Sequence, residues 1–206
     1  MKKEIKEPIK IILLGDSGVG KTNIILRYLK NEFNSNSLST IGTTFGVKQI
    51  TRNNIIYNLN IWDTTGQEAY RAVTKLFVQG AQIVILVYSI DKPNSLESIN
   101  FWYNSVKEIC GDNIVLAIVG NKYDLLFDDK IVLKEIVPDE EGQKIAKEKN
   151  AIFKLISAKN DKKGIDSLFE KTLVDYLDKN IFIEQKDESI KINNKSHKKE
   201  KKKKCC

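Results

Sequence analysis

The sequence shows no long apolar run, no pattern typical of a secretory leader and no disulfide framework. Its longest apolar runs, such as Ile83–Tyr88 and Ile114–Val119, are far shorter than the roughly 20 residues that a membrane-spanning helix needs. The first ten residues carry four lysines and no apolar core before a cleavage site, so we expect no signal peptide. Two of the three cysteines are adjacent at the end of the sequence, which is not a disulfide framework. We therefore expect the protein to stay in the cytosol.

The charge that is present lies mainly in one short segment. The chain of 206 residues is 41% hydrophobic and 30% charged, which is typical of a soluble globular protein. Residues 181–206 hold nine lysines against four acidic residues, a net charge of +5, and this leaves +2 of the total +7 to the other 180 residues. The basic charge therefore belongs to the tail and says nothing about what the domain binds. We predict an N-terminal extension at 1–8, one domain at 9–180 and a disordered basic tail at 181–206.

Short apolar β-type runs alternate along the chain with amphipathic helical stretches. This pattern is typical of an α/β fold in which helices cover both faces of a largely parallel sheet. The predicted strands are Ile9–Leu14, Phe45–Ile50, Ile55–Ile61, Gln82–Tyr88, Ile114–Val119 and Ile152–Leu155. The predicted helices are Thr22–Lys30, Leu96–Cys110, Pro138–Lys149 and Ile165–Leu177. Asn53–Asn54 predicts a hairpin turn between the second and third strands.

A glycine-rich motif lies between the first predicted strand and the first predicted helix. It reads Gly15-Asp16-Ser17-Gly18-Val19-Gly20-Lys21-Thr22 and matches the phosphate-loop pattern G-x-x-x-x-G-K-[ST]. Its glycines let backbone N–H groups turn toward a phosphate, and the helix N-terminus adds partial positive charge. Lys21 can reach the β- and γ-phosphates, and the Thr22 hydroxyl can bind Mg²⁺. A glycine-rich turn with a chance lysine is the alternative, but the strand–loop–helix context favours a nucleoside triphosphate site.

A second motif, Asn121-Lys122-Tyr123-Asp124, follows the strand Ile114–Val119. The carboxyl ends of strands are where ligands bind in open α/β sheets. The Asp124 carboxylate can accept hydrogen bonds from both N1–H and N2–H₂ of guanine. Adenine lacks this donor pair and would leave the carboxylate unsatisfied, at a cost of about 1–3 kcal/mol or more. Alone, the motif would be interpreted as a solvated loop; together with the phosphate loop it predicts a guanine nucleotide.

A third motif, Asp63-Thr64-Thr65-Gly66-Gln67-Glu68, follows the strand Ile55–Ile61. An acid at position 63 can hold Mg²⁺ through water, the Gly66 N–H can contact the γ-phosphate, and Gln67 can orient the attacking water. Phosphoryl transfer needs little more, because its catalysis is mostly positioning and neutralisation of charge. A polar turn after a buried strand is the alternative interpretation.

With these three motifs in order, residues from about Ile9 to Leu177 resemble the Ras superfamily of small GTPases and, within it, the Rab family. The resemblance implies a three-layer domain with a six-stranded, mostly parallel sheet, one antiparallel edge strand and about five helices. It implies hydrolysis of GTP to GDP with Mg²⁺, and makes Thr40 a further Mg²⁺ ligand that senses the γ-phosphate. It also places Phe33 and Lys122 against the guanine ring, and Ser157-Ala158-Lys159 around the base.

The Rab part of the resemblance is carried by Ile41-Gly42-x-x-Phe45, by Trp62-Asp63-Thr64-x-Gly66-Gln67-Glu68 and by the terminal pair Cys205-Cys206. It implies an effector surface that contains Ile41, Gly42, Phe45, Trp62 and Phe77, although Trp62 fits a buried core position equally well. It also implies geranylgeranyl groups on both terminal cysteines. Such groups, with the lysine-rich tail, would hold the protein on the cytosolic face of an endomembrane or vesicle.

The same resemblance implies a role in vesicle traffic and a set of protein partners. These are effectors, an exchange factor, a GTPase-activating protein, a prenylation escort protein and a dissociation inhibitor. No arginine precedes Thr40 in its loop, so an activating protein is expected to supply one in trans. Hydrolysis without that partner should accordingly be slow.

Several positions depart from the Rab pattern, and three alternatives stay open. Thr65 replaces an alanine, Thr43-Thr44 replaces a hydrophobic-acidic pair, Leu76–Gly80 replaces a tyrosine-rich segment, and Leu125–Val137 is longer than expected. A Ras-superfamily member outside the Rabs would lack the doubly prenylated tail. A phosphotransferase would need a lid and a second substrate site, neither of which the sequence indicates. A GTP-bound scaffold that does not hydrolyse is suggested by Thr65 alone.

The hydroxyl and methyl groups of Thr65 are expected to lie near the γ-phosphate and the Mg²⁺ shell, and either to slow hydrolysis or to alter the mobility of the segment Asp63–Lys75. We predict that Thr65→Ala cleaves pre-loaded GTP faster than the parent chain, measured by single-turnover hydrolysis with Mg²⁺ present. Equal rates for the two chains would remove Thr65 as a reason to expect a non-hydrolysing scaffold.

Overall fold

The computed structural model describes residues 4–35, 44–64, 76–128 and 135–180. The strands are β1 (Glu4–Ile5), β2 (Ile9–Leu14), β3 (Thr44–Arg52), β4 (Ile55–Asp63), β5 (Ile83–Ser89), β6 (Val115–Asn121) and β7 (Ile152–Leu155). The helices are α1 (Lys21–Lys30), α2 (Pro93–Cys110), α3 (Asp139–Glu148) and α4 (residues 162–180), with a 3₁₀ helix at Tyr123–Phe127 and a helical turn at residues 76–78. Each predicted strand and helix is present, with ends that differ by a few residues.

The seven strands form one mixed sheet that is six strands wide. Its parallel strands run in the order β4-β2-β5-β6-β7, and β3 pairs antiparallel with the whole length of β4 at one edge. β1 pairs with β4 at Ile55 and Ile56, and β2 pairs with β4 from Leu59 onward. Since β3 occupies the other side of β4, β1 and β2 follow one another along the same side.

β1 and β2 thus lie along β4 like one strand with a break in it; β2 is the predicted strand Ile9–Leu14, whereas β1 lies in the predicted N-terminal extension 1–8 and was not predicted as a strand. Three residues, Lys6 to Pro8, separate the paired parts, whereas the facing segment of β4 has only two. Proline has no N–H to donate to the ladder, and an extra residue shifts the register as in a bulge. The prediction of six strands with one antiparallel edge strand is confirmed, and the interruption at Pro8 accounts for the seventh.

The β3–β4 hairpin turns at the two asparagines that predicted it. Asn53 and Asn54 have φ of 49° and 61°, both in the left-handed region. Two successive residues with positive φ are typical of a type I′ turn, whose twist matches that of the paired strands. Asparagine accepts this conformation at lower cost than most residues, so the hairpin prediction is confirmed.

Two hydrophobic clusters cover the two faces of the sheet. Alternate residues of β2 point to opposite faces, so Ile11 and Leu13 join the cluster under α1 and α4, while Ile12 and Leu14 join the cluster under α2 and α3. In the first cluster the rings of Tyr28 and Phe169 stack with centroids 3.8 Å apart. These are the three layers expected of the α/β fold. Within the described ranges, no helix is long and apolar enough to cross a bilayer.

The parallel strands place their carboxyl ends at one edge of the sheet. Residues that directly follow β2, β4, β5 and β6 therefore meet there, and three of these four points carry the sequence motifs. The fourth, after β5, is the turn that leads into α2.

Removal of the Phe169 ring should destabilise the domain strongly, because the side chain is fully buried. We expect Phe169→Ala to lower the free energy of unfolding by about 3–5 kcal/mol, as large-to-small core changes do. Urea unfolding followed by circular dichroism measures this. Phe127→Ala is the control, since 73% of Phe127 is exposed and its loss should cost about 1 kcal/mol or less. Equal losses for the two variants would contradict the packing described.

Candidate nucleotide-binding site

The phosphate loop, residues 15–22, passes so close to neighbouring strands that glycine is required at two of its positions. A Cβ at Gly15 would lie 2.1 Å from the backbone oxygen of Val87, and Gly15 has φ of +145°. A Cβ at Gly20 would lie 2.3 Å from Nδ2 of Asn121, and Gly20 has φ of +97°. Because glycine has no Cβ, the loop can pack directly against β5 and β6 at these two positions.

Lys21 projects inward from the start of α1 and lies within the loop. Only 5% of it is exposed, and its Nζ donates to the carbonyl oxygens of Gly15 at 2.7 Å and Asp16 at 2.9 Å. Burial lowers the pKa of the Lys21 ammonium to about 8, while the Asp63 and Asp16 carboxylates act in the opposite direction. Lys21 also lines the cleft above the loop. An anion in that cleft would supply the negative charge that a buried ammonium favours.

Asp63 and Thr22 are placed together and fit a hydrated divalent cation. Asp63 is 3% exposed, and among the described residues its Oδ1 has no hydrogen-bond partner. Burial raises the pKa of the Asp63 carboxyl, partly offset by hydrogen bonds from the Thr22 hydroxyl and the Thr64 backbone and by the nearby Lys21 ammonium. A buried carboxylate oxygen without a partner suits a water on Mg²⁺, which prefers oxygen ligands. Thr40, the third predicted ligand, lies outside the described residues.

At the other end of the cleft, Asp124 is fixed by the loop that follows β7. The Ser157 hydroxyl donates to Oδ1 of Asp124 at 2.5 Å, and the Asn160 N–H donates to the Ser157 oxygen at 3.0 Å. Nζ of Lys159 lies 4.0 Å from Oδ2 of Asp124, whose side chain is only 10% exposed. A carboxylate has about four acceptor sites, so this one can still accept from a ligand.

Asn121 joins the two ends of the cleft. It is 1% exposed, and its Nδ2 donates to the carbonyl of Val19 in the phosphate loop at 2.8 Å. Its Oδ1 accepts from the Ala158 N–H at 3.0 Å. Asn121 lines the cleft, but these two bonds engage its amide with protein groups. In the described structure Asn121 therefore links the phosphate loop to the loop that follows β7.

Two further residues, neither of them in a sequence motif, hold the site together. Nε of Arg27 donates to the Ala158 carbonyl at 2.9 Å, and one of its terminal nitrogens donates to the Lys159 carbonyl at 2.7 Å. Nε1 of Trp102, a residue that is 2% exposed, donates to Oδ1 of Asp16 at 2.9 Å. Helical spacing marks both residues as helical and gives no sign of these long-range contacts.

The cleft between these groups has a volume of about 400 Å³, within the range of small-molecule sites. It brings together eleven predicted residues: Ser17, Gly18, Gly20, Lys21, Thr22, Phe33, Asn121, Lys122, Asp124, Ala158 and Lys159. Its other lining residues are Asn23, Asn34, Ser35, Thr64 and Leu125. Asp16, Val19, Asp63 and Ser157 support the lining through the contacts above. Gly66 and Gln67 lie outside the described residues.

Phe45, Trp62 and Phe77 form an aromatic surface. Phe45 and Trp62 stack with ring centroids 5.3 Å apart, and Trp62 and Phe77 are 6.3 Å apart. Phe45 is 59% exposed, whereas Trp62 and Phe77 are half-buried against the α2–α3 cluster. Trp62 is therefore at once part of the core margin and part of the surface. Ile41 and Gly42 lie outside the described residues.

The sheet order, the glycine-rich loop and the cleft above it are those of an α/β P-loop GTPase domain. The family model described as the Ras family matches residues 10–178. The chain is 40% identical over 166 residues to the GTP-binding protein ypt3 of Schizosaccharomyces pombe, across 81% of this chain and 74% of that protein. It is also 40% identical over 149 residues to the Ras-related protein RABA1b of Arabidopsis thaliana, across 72% and 66% of the two chains.

The chain accordingly belongs to the Rab family of Ras-superfamily small GTPases. The resemblance noted from the three motifs is confirmed, and membership makes the protein a GTPase of that class.

Substitution of Gly15 should disrupt the site through a contact with backbone, which cannot rotate away. We expect Gly15→Ala to lose most nucleotide binding and to lower the thermal unfolding temperature. Gly80→Ala is the matched control, because Gly80 has φ of +72° but its added Cβ would meet nothing within 4 Å. Titration with a fluorescent GDP analogue and thermal unfolding measure both effects. If the two variants behaved alike, backbone strain would explain the result and the 2.1 Å approach would not matter.

Proposed function

We propose that residues 9–180 form a Mg²⁺-dependent switch domain that alternates between GTP-bound and GDP-bound states and hydrolyses GTP slowly without a partner. One observation carries the proposal. A single cleft has a buried ammonium, Lys21, in a glycine-rich loop at one end and a serine-bound carboxylate, Asp124, at the other. These two ends fit the phosphates and the base of one guanine nucleotide.

Asp124 would determine the choice of base. Its carboxylate is held by the Ser157 hydroxyl and is mostly shielded from water, so a base that left it unsatisfied would bind with a large penalty. Guanine offers two adjacent donors, N1–H and N2–H₂, in the arrangement that one carboxylate accepts. Lys122 and Phe33 line the same part of the cleft and would contact the ring, with Lys159 beside them.

Lys21 and the backbone of residues 16–22 would bind the phosphates. Thr22 and Asp63 would hold Mg²⁺, Asp63 through water, and the ion would neutralise phosphate charge during transfer. Thr40 and Gly66 are proposed to contact the γ-phosphate or its metal, and Gln67 is proposed to orient the attacking water. Loss of the γ-phosphate would release the contacts of Thr40 and Gly66, which is how the two states would differ.

The aromatic surface of Phe45, Trp62 and Phe77 is the proposed docking face for effectors. Large aromatic side chains at a partly exposed surface are the groups that most often dominate protein interfaces. Ile41 and Gly42 would extend it from the neighbouring segment. Effectors, an exchange factor, an activating protein that supplies an arginine, an escort protein and a dissociation inhibitor are the proposed partners, in vesicle traffic.

The basic tail, residues 181–206, is proposed to anchor the domain to an endomembrane. Prenyl groups on Cys205 and Cys206 would provide two lipid chains, which bind stably where one binds only marginally. Each lysine near an anionic leaflet would add about 1 kcal/mol. No nucleic acid is among the proposed partners.

Asp124→Asn provides the sharpest test of the guanine assignment. The carboxamide cannot accept from both donors of guanine, so we expect affinity for GTP to fall about 100-fold or more. Xanthine carries an oxygen at position 2, which the carboxamide N–H can bind, so affinity for XTP should rise. Competition against a fluorescent GDP analogue measures both. Asp112→Asn is the control, because the Asp112 side chain is 94% exposed and pairs with Lys107 away from the cleft.

The parent chain should also cleave pre-loaded GTP in a single turnover with Mg²⁺, unaffected by excess ATP. Unchanged GTP affinity in Asp124→Asn would rule out the proposed base contact. Failure of the parent chain to bind guanine nucleotides would overturn the proposed function as a whole.

A further inference from the structure

Asp91 and Lys122 form an ion pair at the base end of the cleft. Nζ of Lys122 lies 3.3 and 3.2 Å from the two carboxylate oxygens of Asp91. Both side chains are partly buried, with 29% of Lys122 and 22% of Asp91 exposed. Lys122 lines the cleft, whereas Asp91 is not one of its described lining residues. The lysine therefore faces the ligand site, and the carboxylate stands behind it.

The backbone of the sheet places these two residues side by side. Ser89 and Asn121 are the last paired residues of β5 and β6. One step further, the Ile90 N–H donates to the Asn121 carbonyl at 3.1 Å. Asp91 and Lys122 each follow these bonded residues, so they leave the sheet together. The position of the pair is thus determined by strand register and not by a mobile loop.

The Asp91 carboxylate is also fixed from its other side. The Ser89 hydroxyl donates to Oδ1 of Asp91. The Ser89 backbone N–H donates to the Ser95 hydroxyl at 3.0 Å, and that hydroxyl donates to the Lys92 carbonyl at 2.6 Å, in the first turn of α2. These hydrogen bonds fix the position of the Asp91 carboxylate without a ligand. The longer, more flexible Lys122 side chain is therefore the member of the pair that adjusts its conformation.

We propose that Asp91 is a positioning residue for the guanine nucleotide: it anchors the Lys122 ammonium so that the methylene stem of Lys122 lies along the cleft before the base enters. This rests on the proposed function. A lysine stem is apolar and can cover an aromatic ring while its charged end stays with a polar partner. A free lysine would lose rotamer freedom on binding, and an anchored one has already lost it. The ion pair thus favours binding without a contact between Asp91 and the nucleotide.

The proposal predicts faster nucleotide release when the anchor is removed. We expect Asp91→Asn to speed dissociation of a fluorescent GDP analogue about three- to tenfold, the effect of ordering one lysine side chain during binding. Dissociation is measured by chase with excess GDP in Mg²⁺. Asp91→Glu, which keeps the charge, should recover part of the slow release. Asp175→Asn is the matched control, because Asp175 pairs with Lys171 at 2.8 Å on α4, away from the cleft.

A double-mutant cycle separates an anchor from a structural role. Lys122→Met keeps an apolar stem and removes the ammonium. In that background, Asp91→Asn should change the release rate by about 1.5-fold or less, because the interaction is already absent. An equal acceleration by Asp91→Asn in both backgrounds would overturn the proposal. Thermal unfolding of each GDP-loaded variant shows whether the fold is kept.

The choice of nucleotide gives a second, independent readout. IDP lacks the 2-amino group that Asp124 is proposed to bind, but it presents the same ring face to Lys122. Asp91→Asn should therefore speed release of GDP and IDP by the same factor. A change in the GDP-to-IDP ratio would mean that Asp91 acts through the Asp124 loop, and it would overturn the proposal. Failure of the parent chain to bind the GDP analogue would be recognised separately, as failure of the proposed function itself.

Discussion

The in-register parallel pairing of β2, β5 and β6 determines where every part of the cleft lies. Ile11 pairs with Ile83 and Ile83 with Val115, so the three strands run in step; β5 and β6 end together at Ser89 and Asn121, and β2 ends three residues earlier at the same edge. Their hydrophobic side chains are buried on both faces, which leaves little freedom to slip the register. The phosphate loop, the Asp91 turn and the Asn121 motif begin at this common edge. Contacts between them are consequences of that alignment.

Asn121 converts this alignment into one connected site. Its amide bonds to the phosphate loop on one side and to the Ala158 backbone on the other, and Arg27 holds the same 158–159 backbone from α1. The close packing of Gly20 on the Asn121 amide leaves no room for a side chain between them. The two ends of the cleft are therefore joined through one buried amide that is bonded on both sides. This connection supports the proposal that one nucleotide spans both ends.

The charges of the site are arranged for a ligand that completes them. Lys21 and Asp63 are both nearly buried, and burial shifts each pKa toward the neutral form. Burying a charged group costs free energy unless a group of opposite charge compensates it. Phosphate oxygens would compensate the Lys21 ammonium, and a hydrated divalent cation would compensate the Asp63 carboxylate. The Asp91–Lys122 pair differs, because its two charged groups are in direct contact, whereas Oδ1 of Asp63 has no hydrogen-bond partner among the described residues.

Much of the fold and the site could be predicted from the sequence. Apolar runs, glycine and asparagine turns, and the motifs at residues 15–22 and 121–124 are local signals, since each depends on the geometry of a few adjacent residues. They located the strands, the hairpin and eleven residues of the cleft lining. Trp62 could not be classified in this way, because its half-buried ring contacts Phe45 and Phe77, and this arrangement depends on three separate segments.

Long-range contacts were decided by the tertiary structure alone. Trp102 with Asp16 and Asp91 with Lys122 join residues that are 86 and 31 positions apart, and neither pair leaves a pattern in the chain. The interruption between β1 and β2 at Pro8 likewise depends on the pairing with β4, where only two residues face three. The sequence by itself determined the elements and the chemistry of each motif, because those are local properties of the chain. Only the packing of the sheet decided which side chains contact one another around the cleft, because these contacts depend on the register between distant strands.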